Sequence, residues 1–236
     1  MANYIKSDLI CQAYLRVDLP TPDEETLERL RKALHAYVDE RGNFFLNEQV
    51  EANVTLKEGS IIEYLTIFGS VCALIHQYPS FREAVQLIYS DVKRLTESMT
   101  LEAQFITGAK NASVVHSEAR TGLIGLLKVT IDRIQNTKDS YGLVRISTLT
   151  RRLKASMNDS IRIIEALTNN SDKRYIATNL RDILYELSDS PPQKRKLDRP
   201  EPNALAEFRI TLKNYINILE DFENMPDNEE AEQDAP

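Results

Sequence analysis

From Ile61 to Ile75 the chain runs almost without a polar residue, and this stretch constrains the fold more than any other. It follows an alternating segment in which Val50, Ala52, Val54 and Leu56 interleave with Glu51, Asn53, Thr55 and Lys57, ending at Glu58-Gly59-Ser60. A period of two marks a half-buried strand. A segment apolar on all sides must be sealed from water, in a core or in a bilayer. Glu63 interrupts the run, which falls short of the roughly 20 residues a membrane span needs. The expectation is a helix over 61–76, buried behind a strand over 49–57.

The same logic organises the flanking segments. Leu9, Cys11, Ala13, Leu15 and Val17 alternate with Ile10, Gln12, Tyr14, Arg16 and Asp18, predicting a strand over 8–19. Thr21 as N-cap, Pro22 at the first position and Glu24 closing a capping box predict a helix over 22–40. Its stripe is Leu27, Leu30, Leu34 and Val38, and Gly42 marks its end. Two strands alone make a poor sheet. A third would come from Phe44–Leu46, from a second copy of the chain or from a partner. Ser80, with Glu83 three residues on, starts an amphipathic helix over 80–107.

Beyond Gly108 the spacing is helical throughout. Val115, Ala119, Leu123, Leu126, Leu127, Ile131 and Ile134 form one stripe, and Ile146, Leu149, Leu153, Met157, Ile161 and Ile164 another. Asn169-Asn170-Ser171-Asp172 reads as a turn and N-cap before a shorter stripe from Ile176 to Leu187. The fold class expected is therefore α+β and predominantly helical. A small sheet of two or three strands, backed by a buried helix, occupies residues 1–109, and a helical bundle occupies 110–188. Residues 189–203, with Pro191-Pro192 and Lys194-Arg195-Lys196, read as a linker. A docking helix over 204–222 and a disordered acidic tail over 223–236 follow.

Charge is unevenly placed. Eight acids and no base lie between Glu220 and Pro236, and they exceed the whole formal charge of −7, leaving the rest of the chain at +1. From Arg120 to Arg162 nine bases face three acids. Gathered on one side, Arg120, Lys128, Arg133, Arg145, Arg151, Arg152 and Lys154 would form an anion-binding patch for nucleic acid or an anionic membrane. Leu205, Phe208, Leu212, Tyr215, Leu219 and Phe222 are spaced 3-4-3-4-3, a narrow heptad seam suited to packing on one partner helix.

Chemistry leaves few marks. There is no phosphate-binding glycine loop, zinc signature, nucleophile elbow or calcium loop in the sequence. Cys11 and Cys72 lack metal or redox spacing and suit a reducing cytoplasm. The N-terminus has no basic stretch leading an apolar one, so no signal peptide is expected. No cofactor or metal is implied. Glu63, His76 and Arg82 bracket the apolar run and form the single cluster that could serve an enzyme, with a structural ion pair as the simpler reading. The function expected is a non-enzymatic assembly or adaptor subunit that binds another protein or itself. Nucleic-acid or anionic-membrane binding through the basic helices over 120–162 is the alternative.

Overall fold

The computed structural model describes residues 9–18, 23–47, 50–57, 61–192 and 203–226, with backbone alone at 57 and 61–63. The elements are β1 (Leu9–Val17), α1 (Glu24–Leu46), β2 (Glu51–Lys57), β3 (Ile61–Phe68), α2 (Val71–His76) and α3 (Phe81–Thr107). A 3-10 turn (Asn111–Ser113), β4 (Val114–Arg120), α4 (Gly122–Asp139), α5 (Ile146–Ala166), α6 (Asn170–Tyr185) and α7 (Ala204–Glu223) complete them. The fold is α+β and mostly helical, with one small antiparallel sheet. Two compact units, Met1–Gly125 and Leu126–Pro236, divide within α4.

The run after Ser60 corrects the sequence reading most. Ile61–Phe68 is a strand, and only Val71–His76 is helical. Ile61, Ile62, Thr66 and Ile67 are β-branched, and Tyr64 and Phe68 are aromatic; such side chains favour a pleated surface over a helix. The near-continuous apolarity arises because the phase opposite Leu65 and Ile67 carries Tyr64 and Thr66, an aromatic and a β-branched residue, where β1 carries Gln12 and Arg16. Gly69 then allows close packing on β1: a Cβ there would lie 2.8 Å from Ile10 Cδ1. Ser70 Oγ accepts from the Ala73 N–H at 3.1 Å and starts α2.

The first unit orders its strands β2-β3-β1-β4, every neighbour antiparallel. With β1-α1-β2-β3-helix-β4 along the chain, this is the connectivity of the split β-α-β, or ferredoxin-like, motif. Here the second helix position is filled by α2 and α3 in succession. The sheet thus has four strands, not two or three. The last of them, β4, lies where a helix was expected. Val115, Ala119 and Leu123 imitate a helical stripe, but Gly122 at φ +50° breaks it and the preceding residues pair with β1.

Helix α1 packs on β2 and β3, α3 packs on β1 and β4, and the two helices pack on each other. Leu9, Cys11, Ala13, Leu15, Val17, Leu65 and Ile67 meet Leu34, Val38, Val92, Leu95 and Met99 in the core. Each fully buried aliphatic side chain there contributes about 1.5–3 kcal/mol. Asp23, not Thr21, caps α1, its Oδ1 accepting from the Thr26 N–H at 2.7 Å; Thr21 and Pro22 lie outside the described residues. The helix also runs past Gly42 to Leu46. Gly42 serves close packing, since a Cβ would lie 2.9 Å from Val50 Cγ2 and 3.1 Å from Ile67 Cδ1. Phe44–Leu46 accordingly belongs to α1 and supplies no strand.

In the second unit α7 lies against α5 and α6. Leu149, Leu153, Ile163, Ile164, Ile176, Leu180 and Leu184 form the core with Phe208, Leu212 and Leu219. Asn169 caps α6 as its sequence suggests, accepting from the Ser171 N–H at 2.9 Å. Among the described residues no helix is long and apolar enough to cross a membrane. The acidic tail beyond Pro226 lies outside the described residues.

The open face of the sheet as a candidate binding site

Period-two alternation gives the sheet two unlike faces. One carries Cys11, Ala13 and Leu15, each at most 1% exposed beneath α1 and α3. The other carries the polar phase of the same strands. Register arranges it in rows across β2, β3, β1 and β4: Asn53-Thr66-Gln12-Arg120, then Thr55-Tyr64-Tyr14-Glu118, then a third row in which Arg16 lies opposite His116. Tyr14, Tyr64, Gln12, Glu118 and Arg120 are half-buried, and Asn53, Thr55, Arg16 and His116 are exposed.

Tyr14 is the hub of this face. Its ring centroid lies 5.1 Å from that of Tyr64, tilted by 51°, and 5.5 Å from that of His116. The Arg120 guanidinium stands over the Tyr14 ring at 5.0 Å, a cation–π contact. Arg120 Nη1 donates to Gln12 Oε1 at 2.6 Å, and its Nε and Nη2 donate to Glu118 Oε2 at 2.9 and 2.7 Å. Gln12 Nε2 in turn donates to Thr66 Oγ1 at 2.9 Å. The guanidinium is therefore fixed in place, and it holds the Tyr14 ring from one side. Arg16, exposed in the third row, makes no ion pair among the described residues. The face offers two adjacent aromatic rings, a ladder of amide and hydroxyl groups, and basic residues along one border.

The basic residues singled out from sequence are dispersed by the fold. Arg120 belongs to the sheet, and the others to the second unit. Lys128 pairs with Asp132, and Arg133 with Asp159. Lys138 reaches Glu186 at 3.1 Å, and Lys154 reaches Glu207 at 2.7 Å. Arg145 occupies the N-cap position of α5, and Arg151 is exposed. Of these residues, Arg133 and Arg152 line one groove. Six of the nine bases thus lie in ion pairs with carboxylates of the same chain, and exposed pairs of this kind contribute little to stability.

The heptad seam is occupied within the chain. Phe208, Tyr215 and Leu219 are fully buried and Leu212 is 5% exposed, against α5 and α6; Leu205 and Phe222 at the two ends are half-buried. The Tyr215 hydroxyl is shared with Ser160 Oγ and donates to the Ser156 carbonyl at 3.1 Å. Burial pushes its pKa well above the usual phenol value. The third cluster is spread over three elements: Glu63 on β3, His76 exposed at the end of α2 and Arg82 half-buried in the first turn of α3. The Glu63 side chain lies outside the described residues. Among the described residues no group of three or more His, Cys, Asp or Glu could hold a metal.

Sequence reasoning missed Tyr14, Tyr64, Gln12 and His116 as a set. The signal for Tyr14 was present, an aromatic ring in the polar phase of an alternating strand between Gln12 and Arg16. Tyr64 was hidden by reading its strand as a helix. Comparison of the chain with protein-family models, with curated proteins and with solved structures finds no match.

Proposed function

We propose that this is a non-enzymatic binding protein and that the open sheet face of its first unit holds single-stranded nucleic acid. The observation that carries the reading is the Tyr14–Tyr64 pair, adjacent on the two central strands and half-exposed. Exposed aromatic rings on a sheet are stacking platforms for unpaired bases, and every base presents a π-face to them. The neighbouring residues suit the rest of such a ligand. Arg16 and His116 on the same face supply phosphate contacts, and Asn53, Thr55 and Gln12 supply hydrogen-bonding groups for base edges and sugar hydroxyls. A duplex fits this face less well, because its bases are stacked inside and cannot reach the rings. The adaptor function expected of the α7 seam yields to this reading, since that seam is already filled by α5 and α6.

The test is fluorescence anisotropy with labelled single-stranded RNA and DNA of a dozen nucleotides, at low salt. Stacking contributes about 1–3 kcal/mol per base, so Tyr14→Ala and Tyr64→Ala each weaken binding by about 5- to 150-fold, while Tyr64→Phe keeps most of it. Arg16→Glu weakens binding and flattens its salt dependence. Arg151→Glu, on α5, leaves it unchanged, which separates this face from the basic helices. Wild-type protein that binds neither nucleic acid refutes the reading, and so do alanine variants that bind as well as wild type.

A further inference from the structure

The second unit contains a groove that the sheet face does not involve. It is open to solvent along one side, has a volume of about 540 Å³ and is lined by Val129, Asp132, Arg133, Asn136, Ser140 and Arg152. On α4 these positions recur at intervals of three and four residues, so they share one helix face, and Arg152 of α5 closes the groove from the other wall. The volume suits a small molecule, whose sites run to about 300–1,000 Å³. Five of the six lining residues carry polar or charged groups.

The charges in the groove do not cancel. Asp132 is taken up by Lys128 one turn earlier on α4. Arg133 pairs with Asp159, and that carboxylate is approached at 3.7 Å by Arg162 as well. Arg152 has only neutral acceptors, donating through Nη1 to the Asn136 carbonyl at 3.2 Å and to Ser140 Oγ at 2.7 Å. Arg133 and Arg152 line the groove with one carboxylate, Asp132, and with the ion-pair partners Lys128 and Asp159 counted one positive charge is left in excess. Arg152 is half-buried and held by those two bonds. Its Nη2 and Nε edge takes no part in them. A planar guanidinium held by neutral groups beside a second one is suited to a tetrahedral oxyanion.

We infer that this groove binds the phosphate group of a small phosphorylated molecule between Arg133 and Arg152, with Asn136, Ser140 and Asp132 taking the hydroxyl or amide groups of its body. A phosphomonoester fits better than a carboxylate, because its three terminal oxygens serve both guanidinium groups at once. The site stands apart from the reading of the sheet face and does not rest on it.

The experiment is calorimetric titration of the full chain with inorganic phosphate, ribose 5-phosphate and adenosine 5′-monophosphate, at constant ionic strength set with chloride. Binding of at least one of them at one site per chain is expected, and Arg152→Met weakens it about tenfold or more. Arg152→Lys falls between, keeping the charge without the fork. Arg151→Met, one residue away and exposed, binds as wild type does. If Arg152→Met fails to fold, Ser140→Ala replaces it and weakens binding less. The outcomes that overturn the inference are no heat beyond the chloride control for all three probes, or equal affinity in Arg152→Met and wild type. A 5′-phosphorylated oligonucleotide identifies the source of the phosphate. Binding of adenosine 5′-monophosphate at least as tightly supports a small-molecule site, and binding of the oligonucleotide alone refutes it. Tyr14→Ala, by contrast, leaves phosphate binding intact.

Discussion

The way α7 is held within its own unit can be tested through the proton on Tyr215. The side chain is 0% exposed, its hydroxyl is shared with Ser160 Oγ and bonded to the Ser156 carbonyl, and burial holds its pKa far above the ordinary 10.0. Tyr215→Phe removes the hydroxyl and almost no volume. A buried hydrogen bond contributes about 0.5–1.5 kcal/mol net, so two of them give a cost of about 1–3 kcal/mol at neutral pH. Alkali changes the balance. Because the folded pKa is raised, the wild-type advantage is complete below pH 10 and is lost as pH rises, while the unfolded phenol ionises and the folded one does not. That loss reaches about 1.4 kcal/mol at pH 11 and about 2.0 kcal/mol at pH 11.5. Tyr141, pushed up to about 12 by burial, titrates in both proteins and drops out of the difference. The stability curves of wild type and Tyr215→Phe should therefore converge above pH 10 and cross no earlier than about pH 10.6. Urea unfolding followed by far-ultraviolet circular dichroism at half-unit pH intervals measures both. Curves that stay parallel to pH 11.5 would refute the reasoning, for they would mean that the phenol ionises in the folded protein and the seam is not sealed.

Other expectations need less argument. Phe208→Ala should cost about 3–5 kcal/mol in the same urea experiment, as a filled core site does; a seam kept free for a partner would leave stability untouched. Gly122→Ala should cost about 3 kcal/mol or more, since φ is +50° and the added Cβ would sit 2.6 Å from the Leu9 carbonyl oxygen. Gly108→Ala, at φ +68° with nothing within 4 Å, should cost only about 1–2 kcal/mol, and thermal melts of the two variants give the comparison. Burial pushes the Cys11 thiol up to about 12, and Cys72 is 1% exposed. Neither should react with a thiol reagent at pH 8 until the protein is unfolded, and labelling of the folded chain within minutes would contradict the sealed sheet core.

What the sequence made legible follows the strength of each periodic signal. Strands β1 and β2 alternate because one face of each is buried and the other is not, and their spans could be read directly. Helices α3, α5, α6 and α7 carry single stripes and could be read as well. Strand β3 could not be read from periodicity. Its open-face phase carries Tyr64 and Thr66 where β1 has Gln12 and Arg16, so the alternation is weak, and a short apolar run fits a buried helix equally well. The deciding evidence was chemical, the β-branched Ile61, Ile62, Thr66 and Ile67 followed by Gly69. Strand β4 was lost for the opposite reason: it is an edge strand, partly or fully exposed along its length, so neither phase is apolar enough to alternate. The open face vanished with these two strands, because half of its residues lie on them. The basic residues were legible as a count, but their carboxylate partners come from as far away as Glu186 and Glu207, on other helices.

The open face is in this sense a product of the core behind it. Side chains of a strand alternate, so a slip of β3 by one residue would turn Leu65 and Ile67 outward and bury Tyr64. Leu65 and Ile67 are at most 1% exposed, and exposing two such side chains would cost about 3–6 kcal/mol, comparable to the net stability of a small domain. Two close approaches tighten the lock, Gly42 of α1 against Ile67 and Gly69 against Ile10. The pairing of Tyr14 with Tyr64 across the sheet therefore needs no strong attraction between the rings, which is worth about 0.5–1.5 kcal/mol at most. Apolar packing on one side fixes where the two rings stand on the other. A ligand that stacks on them meets a surface set in advance, and little of its binding energy is spent in ordering the protein.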